Sequence, residues 1–263
     1  MTKRLFALLL FVLTSCGGSA LELETSSEAL RSVQHKISVL CLGDSLTAGS
    51  HYDESDLIHP KIAWRGAFHT EVERRYGIDL QLVGNEEDQN PPTWWPSVDW
   101  HHAGVGGELI DDPRHLKGSI LSMRQRVGRE LPRHRPDIVI VLGGLNDIAI
   151  GYTVAESVDH LNALIADIRR LVPESKIVVS TVTTYPPKLA ESIEFNDTIV
   201  RYGRPRAIDT TSGLVHPFDF SSDNAHPNRR GYEAIGFRFA AEIEPVLREV
   251  LFELSKKRPR LEL

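Results

Sequence analysis

From residue 36 onward, short apolar runs alternate with longer segments whose apolar positions recur every three or four residues. Ile37–Leu42, Leu80–Val83, Ile138–Leu142 and Ile177–Val182 are almost continuously apolar, and Arg206–Asp209 is a weaker fifth run. Such runs mark strands covered on both faces. Between them, Val154, Val158, Leu161, Ile165 and Ile168 fall on one helical face, behind a capping-box pattern at Thr153 and Glu156. A last helix, read as one piece from about Arg229 to Leu254, aligns Tyr232, Ile235, Phe239, Ile243, Val246 and Val250. Strand–helix alternation predicts a single α/β domain, a three-layer α/β/α sandwich around a central, mostly parallel five-stranded sheet. The segment between Tyr185 and Asp209 is short for a full crossover, so the edge strand is expected to be brief.

The ends of the chain read differently. Lys3 and Arg4 precede the apolar segment Leu5–Leu13, which has signal-peptide length. Spanning a bilayer takes roughly 20 apolar residues. Leu13-Thr14-Ser15-Cys16 resembles the lipobox of bacterial lipoproteins, in which the Cys is lipidated and becomes the mature N-terminus. That resemblance implies an exported protein held on a membrane, at its periplasmic or surface face, only through acyl chains on Cys16. Residues 1–16 are then the lipoprotein signal peptide, 17–35 a flexible tether, 36–254 the folded domain and 255–263 a disordered basic tail. Cys41, the other cysteine, sits inside the first strand and reads as a small buried apolar residue.

Composition narrows the partners. The 263 residues are 41% hydrophobic and carry a formal net charge of −6, spread along the chain. Nothing there forms the basic surface that nucleic acid requires. No cofactor is expected, and a monomer is.

Chemistry concentrates where the apolar runs stop. The first run ends in Gly43-Asp44-Ser45, at the sheet edge where parallel α/β proteins place their sites. By itself Ser45 could cap a helix, bind phosphate or act as a nucleophile. Neither the G-x-S-x-G elbow nor a phosphate loop is present. Three further stretches bear on the choice. His102 to Ile110 (HAGVGGELI) is a glycine-dense loop read as preceding a helix; Val141 to Ile150 (VLGGLNDIAI) ends a buried run with glycines and then offers Asn146 and Asp147; Asp223 to Tyr232 (DNAHPNRRGY) sets His226 three residues after Asp223. A hydroxyl, a His–Asp pair and fixed donors are the parts of acyl transfer through serine. Asp44 and Asp147 read as braces for their loops.

In this order the four stretches resemble the four blocks of the SGNH (GDSL-type) hydrolase superfamily, over about residues 36 to 251. The resemblance implies a flavodoxin-like fold with Ser45 as nucleophile, His226 as base and Asp223 as its partner. It also implies an oxyanion hole from Ser45, Gly107 and Asn146. Within the superfamily, HAGVGG behind an insertion is similar to carbohydrate acetylesterases such as acetyl xylan esterases. The expected substrate is therefore an acetylated carbohydrate or another small ester. The insertion carries Trp94, Trp95 and Trp100, a candidate sugar-stacking surface or a loop burying its own aromatics. His101, His102 and His115 match no metal-ligand spacing, and no metal is expected. Two other readings stay open: a lysophospholipase or thioesterase, and a non-catalytic glycan-binding protein on the same fold.

Overall fold

The computed structural model describes residues 36–49, 64–87, 100–112, 121–202 and 205–257. The lipobox, the tether, Trp94, Trp95, His115 and the tail from 258 lie outside them.

The five expected strands all form: β1 (Ile37–Gly43), β2 (Leu80–Val83), β5 (Ile138–Leu142), β6 (Lys176–Ser180) and β7 (Arg206–Ile208). They pair in parallel in the order β2-β1-β5-β6-β7. Two more strands amend the expected count of five. β4 (His101–Gly104) pairs in parallel with the last two residues of β1, and β3 (Glu86–Glu87) pairs antiparallel with β4. The sheet thus has seven strands among the described residues. β4 occupies the edge of β1 beyond the point where β2 stops pairing. Its sequence, HHAG, has no apolar run to announce a strand, and the stretch read as loop from His102 is strand as far as Gly104.

The helices are α1 (Ser45–Ala48), α2 (Trp64–Tyr76), α3 (Met123–His134), α4 (Leu145–Ile150), α5 (Val154–Leu171), α6 (Leu189–Tyr202), α7 (Arg229–Glu242) and α8 (Glu244–Lys256). α3, α5 and α6 pack side by side, and α2 packs on α7, giving the two outer layers. Trp64, Phe68 and Phe239 meet between α2 and α7, with ring centroids 4.4 Å apart for Trp64–Phe239. The capping box that opens α5 is formed by Thr153 and Glu156.

The single terminal helix expected from Arg229 to Leu254 is two. Pro245 has no N–H to continue the ladder and sits instead in the first turn of α8, after the break at Ile243. Both pieces keep the predicted stripe buried. α8 runs on to Lys256, two residues into the stretch read as tail. β6 stops at Ser180, short of the expected Val182, because the Asn196 side chain takes over Val182, accepting its N–H and donating to its carbonyl. The edge strand β7 has three residues. Among the described residues, no helix is long and apolar enough to cross a membrane.

Candidate active site

Strand register sets the site. Gly43 pairs with Gly104 on one side and with Leu142 on the other, so three chain segments leave the sheet at one level. They carry Ser45, Gly107 and Asn146. Gly43 cannot hold a side chain there: a Cβ would lie 2.2 Å from the Leu142 carbonyl oxygen and 2.3 Å from Thr47 Oγ1.

Ser45 is the first residue of α1 and is 7% exposed. Asp44 caps that turn, its Oδ1 accepting from the Leu46 N–H at 2.9 Å. The buried Arg65 guanidinium donates to the Thr47 carbonyl and holds the far end of α1. Asp44 is itself buried, and Oδ2 has no hydrogen-bond partner. Burial pushes its carboxyl up to about 7, against the Leu46 hydrogen bond, with Asp147 and Glu108 adding like charge.

His226 arrives on the loop before α7. Asn228 caps α7 by accepting from Gly231 N, while its amide donates to the Phe218 and Phe220 carbonyls. The Ser221 N–H donates to the His226 carbonyl at 2.8 Å, and Thr183 Oγ1 ties the Ala225 carbonyl to the end of β6 at 3.0 Å. In this frame His226 Nε2 lies 2.7 Å from Ser45 Oγ, and Nδ1 lies 2.5 Å from Asp223 Oδ2. Asp223 Oδ1 accepts the backbone N–H groups of Ala225 and His226, both at 3.0 Å. Burial raises the Asp223 carboxyl, but the His226 ring and these backbone donors outweigh it and hold the group below its ordinary value. Ser45, His226 and Asp223 therefore form one continuous chain of hydrogen bonds.

Three candidate donors stand on the segments that leave the sheet at this level. Among the described residues, the Ser45 and Gly107 N–H groups have no hydrogen-bond acceptor. Gly107 has φ of 81°, a left-handed conformation that favours glycine. The Asn146 amide donates to the Glu108 carbonyl at 2.9 Å, which fixes its NH₂ group beside the Gly107 loop. Asp147 braces the same loop, accepting from the Ile110 N–H at 3.1 Å and meeting His160 Nδ1 at 2.8 Å.

Trp100 fits the packing alternative rather than the stacking one. It is 7% exposed and belongs to the hydrophobic core, so it is no open stacking face. His101 and His102 lie within β4, and the His102 ring accepts from the Gly104 N–H. Sequence reasoning passed over Arg65, Arg126, Glu108 and His160. Their one signal was the presence of charged residues inside otherwise structural segments.

Fold and site together define a serine hydrolase architecture of the SGNH type. The model of the GDSL-like lipase/acylhydrolase family matches residues 41–234, and the chain belongs to that family. It is similar to a multidomain esterase of Ruminococcus flavefaciens, 26% identical over an alignment 253 residues long that covers 88% of this chain and 31% of that protein. The chain thus spans about a third of the curated relative it matches. Among solved structures it resembles a family 3 carbohydrate esterase from Clostridium thermocellum, with TM-score 0.67 and 19% identity over 82% of this chain and 99% of that one. A family 3 carbohydrate esterase from Talaromyces cellulolyticus gives TM-score 0.64 and 18% identity over 81% and 99%. At these identities the likeness speaks for the fold.

Proposed function

We propose that the protein is a serine ester hydrolase that removes acetyl groups from carbohydrate. The unbroken Ser45–His226–Asp223 chain, 2.7 Å and 2.5 Å long in its two links, carries this reading. His226 Nε2 takes the hydroxyl proton as Ser45 Oγ bonds to the ester carbonyl carbon. Asp223 holds Nδ1–H and stabilises the imidazolium. The oxyanion forms against the Ser45 and Gly107 N–H groups and the Asn146 amide. On collapse, the C–O bond to the alcohol breaks and His226 returns the proton to it. Water, deprotonated by His226, then releases the acetate from Ser45.

The carbohydrate half of the reading is supported by the names of the fold neighbours, two carbohydrate esterases, and of the curated multidomain esterase. In this reading Trp94 and Trp95 are candidates for stacking on the sugar, and Cys16 carries the acyl anchor of an exported lipoprotein.

The test compares wild type with Ser45→Ala on a small activated acetyl ester, acetylated xylan and a lysophospholipid. Loss of hydrolysis with an intact fold, and preference for the xylan, is expected. A tenth of wild-type activity in Ser45→Ala removes Ser45 from its role. Preference for the lipid sinks the carbohydrate reading and leaves the nucleophile standing.

A further inference from the structure

The proposed oxyanion donors come from three segments; one buried guanidinium contacts two of them directly and the third through Glu108. Arg126, on α3, is 8% exposed. Its Nε donates to Glu108 Oε1 at 2.9 Å; its Nη2 donates to Glu108 Oε2 and, at 2.8 Å, to the Ala103 carbonyl. The same Nη2 lies 3.4 Å from the Gly43 carbonyl oxygen, and Nη1 faces Glu130 at 3.7 Å. Each acceptor leads to a donor. Gly43 directly precedes the Asp44–Ser45 turn, Ala103 lies in the strand that launches the Gly107 loop, and Glu108 follows Gly107 and receives the Asn146 amide on its own carbonyl.

We infer that Arg126, paired with Glu108, is a positioning residue that fixes the spacing of the Ser45, Gly107 and Asn146 donors. The inference rests on the reaction proposed above. A stability role explains the pair poorly, since a buried Arg–Glu pair is often no more stabilising than an apolar replacement of equal volume. Geometry explains it better. A planar fork reaches a carboxylate and two strand-end carbonyls at once, which a lysine ammonium cannot do.

The test uses the full chain with Arg126→Lys and, if the single variant does not fold, the double variant Glu108→Gln/Arg126→Met, which removes both charges of the pair and leaves Glu130 its contacts to the Asn85 N–H and His134. Misplaced donors weaken the transition state more than the ground state. For a small acetyl ester, kcat is expected to fall about a hundredfold with KM nearly unchanged. A boronic acid, to which Ser45 Oγ adds while its proton passes to His226, presents a tetrahedral oxygen to the same donors; its affinity should weaken in step with kcat. Folded variants with kcat within about threefold of wild type, well inside that expected loss, overturn the inference. So does a loss confined to KM with boronate affinity intact. Ser45→Ala separates the two readings: if it stays active, the reaction itself is wrong and the inference goes with it; if it is inactive while the Arg126 variants keep kcat, only the inference fails.

Discussion

Replacing Asp223 by Asn should damage hydrolysis more than replacing it by Ala, and the reason lies in the backbone around it. Asp223 Oδ1 accepts two N–H groups, from Ala225 and His226, and Oδ2 meets His226 Nδ1. An Asn carbonyl oxygen must take the Oδ1 place, because an NH₂ there would face two donors. The Asn NH₂ is then forced against Nδ1, which has to accept. The imidazole proton moves to Nε2 and points at Ser45 Oγ, the atom it should deprotonate. This tautomer error reduces kcat on the order of ten-thousand-fold in a Ser–His–Asp triad. Ala imposes no tautomer; it removes the acceptor of the Ala225 and His226 N–H groups and, with it, the charge facing the imidazolium. At about 4 Å and an effective dielectric near 20 that interaction is about 4 kcal/mol. The Asp223 side chain is 28% exposed, so water replaces part of it. About 2–3 kcal/mol remains, a loss of about 30- to 150-fold. The assay is kcat/KM on a small acetyl ester for both variants, with ¹⁵N spectra of His226 reporting the tautomer. Asn equal to or faster than Ala, in folded protein, would refute the reasoning.

Other outcomes follow from single contacts. Asn146→Ala removes one oxyanion donor and should lower kcat about 10²- to 10³-fold, with KM little changed, as steady-state kinetics will show. Asp44→Asn keeps an acceptor for Leu46 but abolishes a buried acid whose folded pKa, about 7, exceeds its ordinary value of 3.8. The unfolded chain binds fewer protons between those values, so wild-type stability falls as pH rises through that window; the variant should gain on wild type by a few kcal/mol from pH 4 to pH 8, and parallel thermal-melting curves across that range would exclude this. Trp64→Ala opens the α2–α7 contact and should cost about 3–5 kcal/mol of stability, read by denaturant unfolding.

Elements built from local pattern were legible in the sequence, and those built by their neighbours were not. β5 and α5 declare themselves, the first as a run of five buried apolar residues and the second through its stripe and capping box. β4 forms because β1 runs on past β2 and leaves Leu42 and Gly43 open on that edge, which no feature of HHAG encodes. α2 escaped for a related reason. Its buried face includes Arg65, His69 and Glu71 beside Trp64 and Phe68, so it carries no clean apolar stripe. Arg65 is answered by the Thr47 carbonyl and His69 by the Leu80 carbonyl, acceptors supplied by other elements. Pro245 was readable in the sequence, and the stripe running across it hid the break.

The site divides along the same line. Ser45, Asn146, Asp223 and His226 stand in short motifs at strand or helix ends, and Asp223 and His226 meet within one turn. The link from His226 to Ser45 spans 181 residues, yet the parallel sheet makes it predictable by delivering strand ends to one edge. What holds the donors is different in kind. Arg126 lies within a helix, and its acceptors Gly43, Ala103 and Glu108 are 83, 23 and 18 residues away. Two of those three contacts are to backbone carbonyls, which any residue could present, so no residue type at the other end marks them. A buried arginine whose shortest contacts all come from distant parts of the chain is therefore the kind of residue to examine first at a strand-end site of this sort, because burying that charge is unfavourable unless the fold supplies its acceptors.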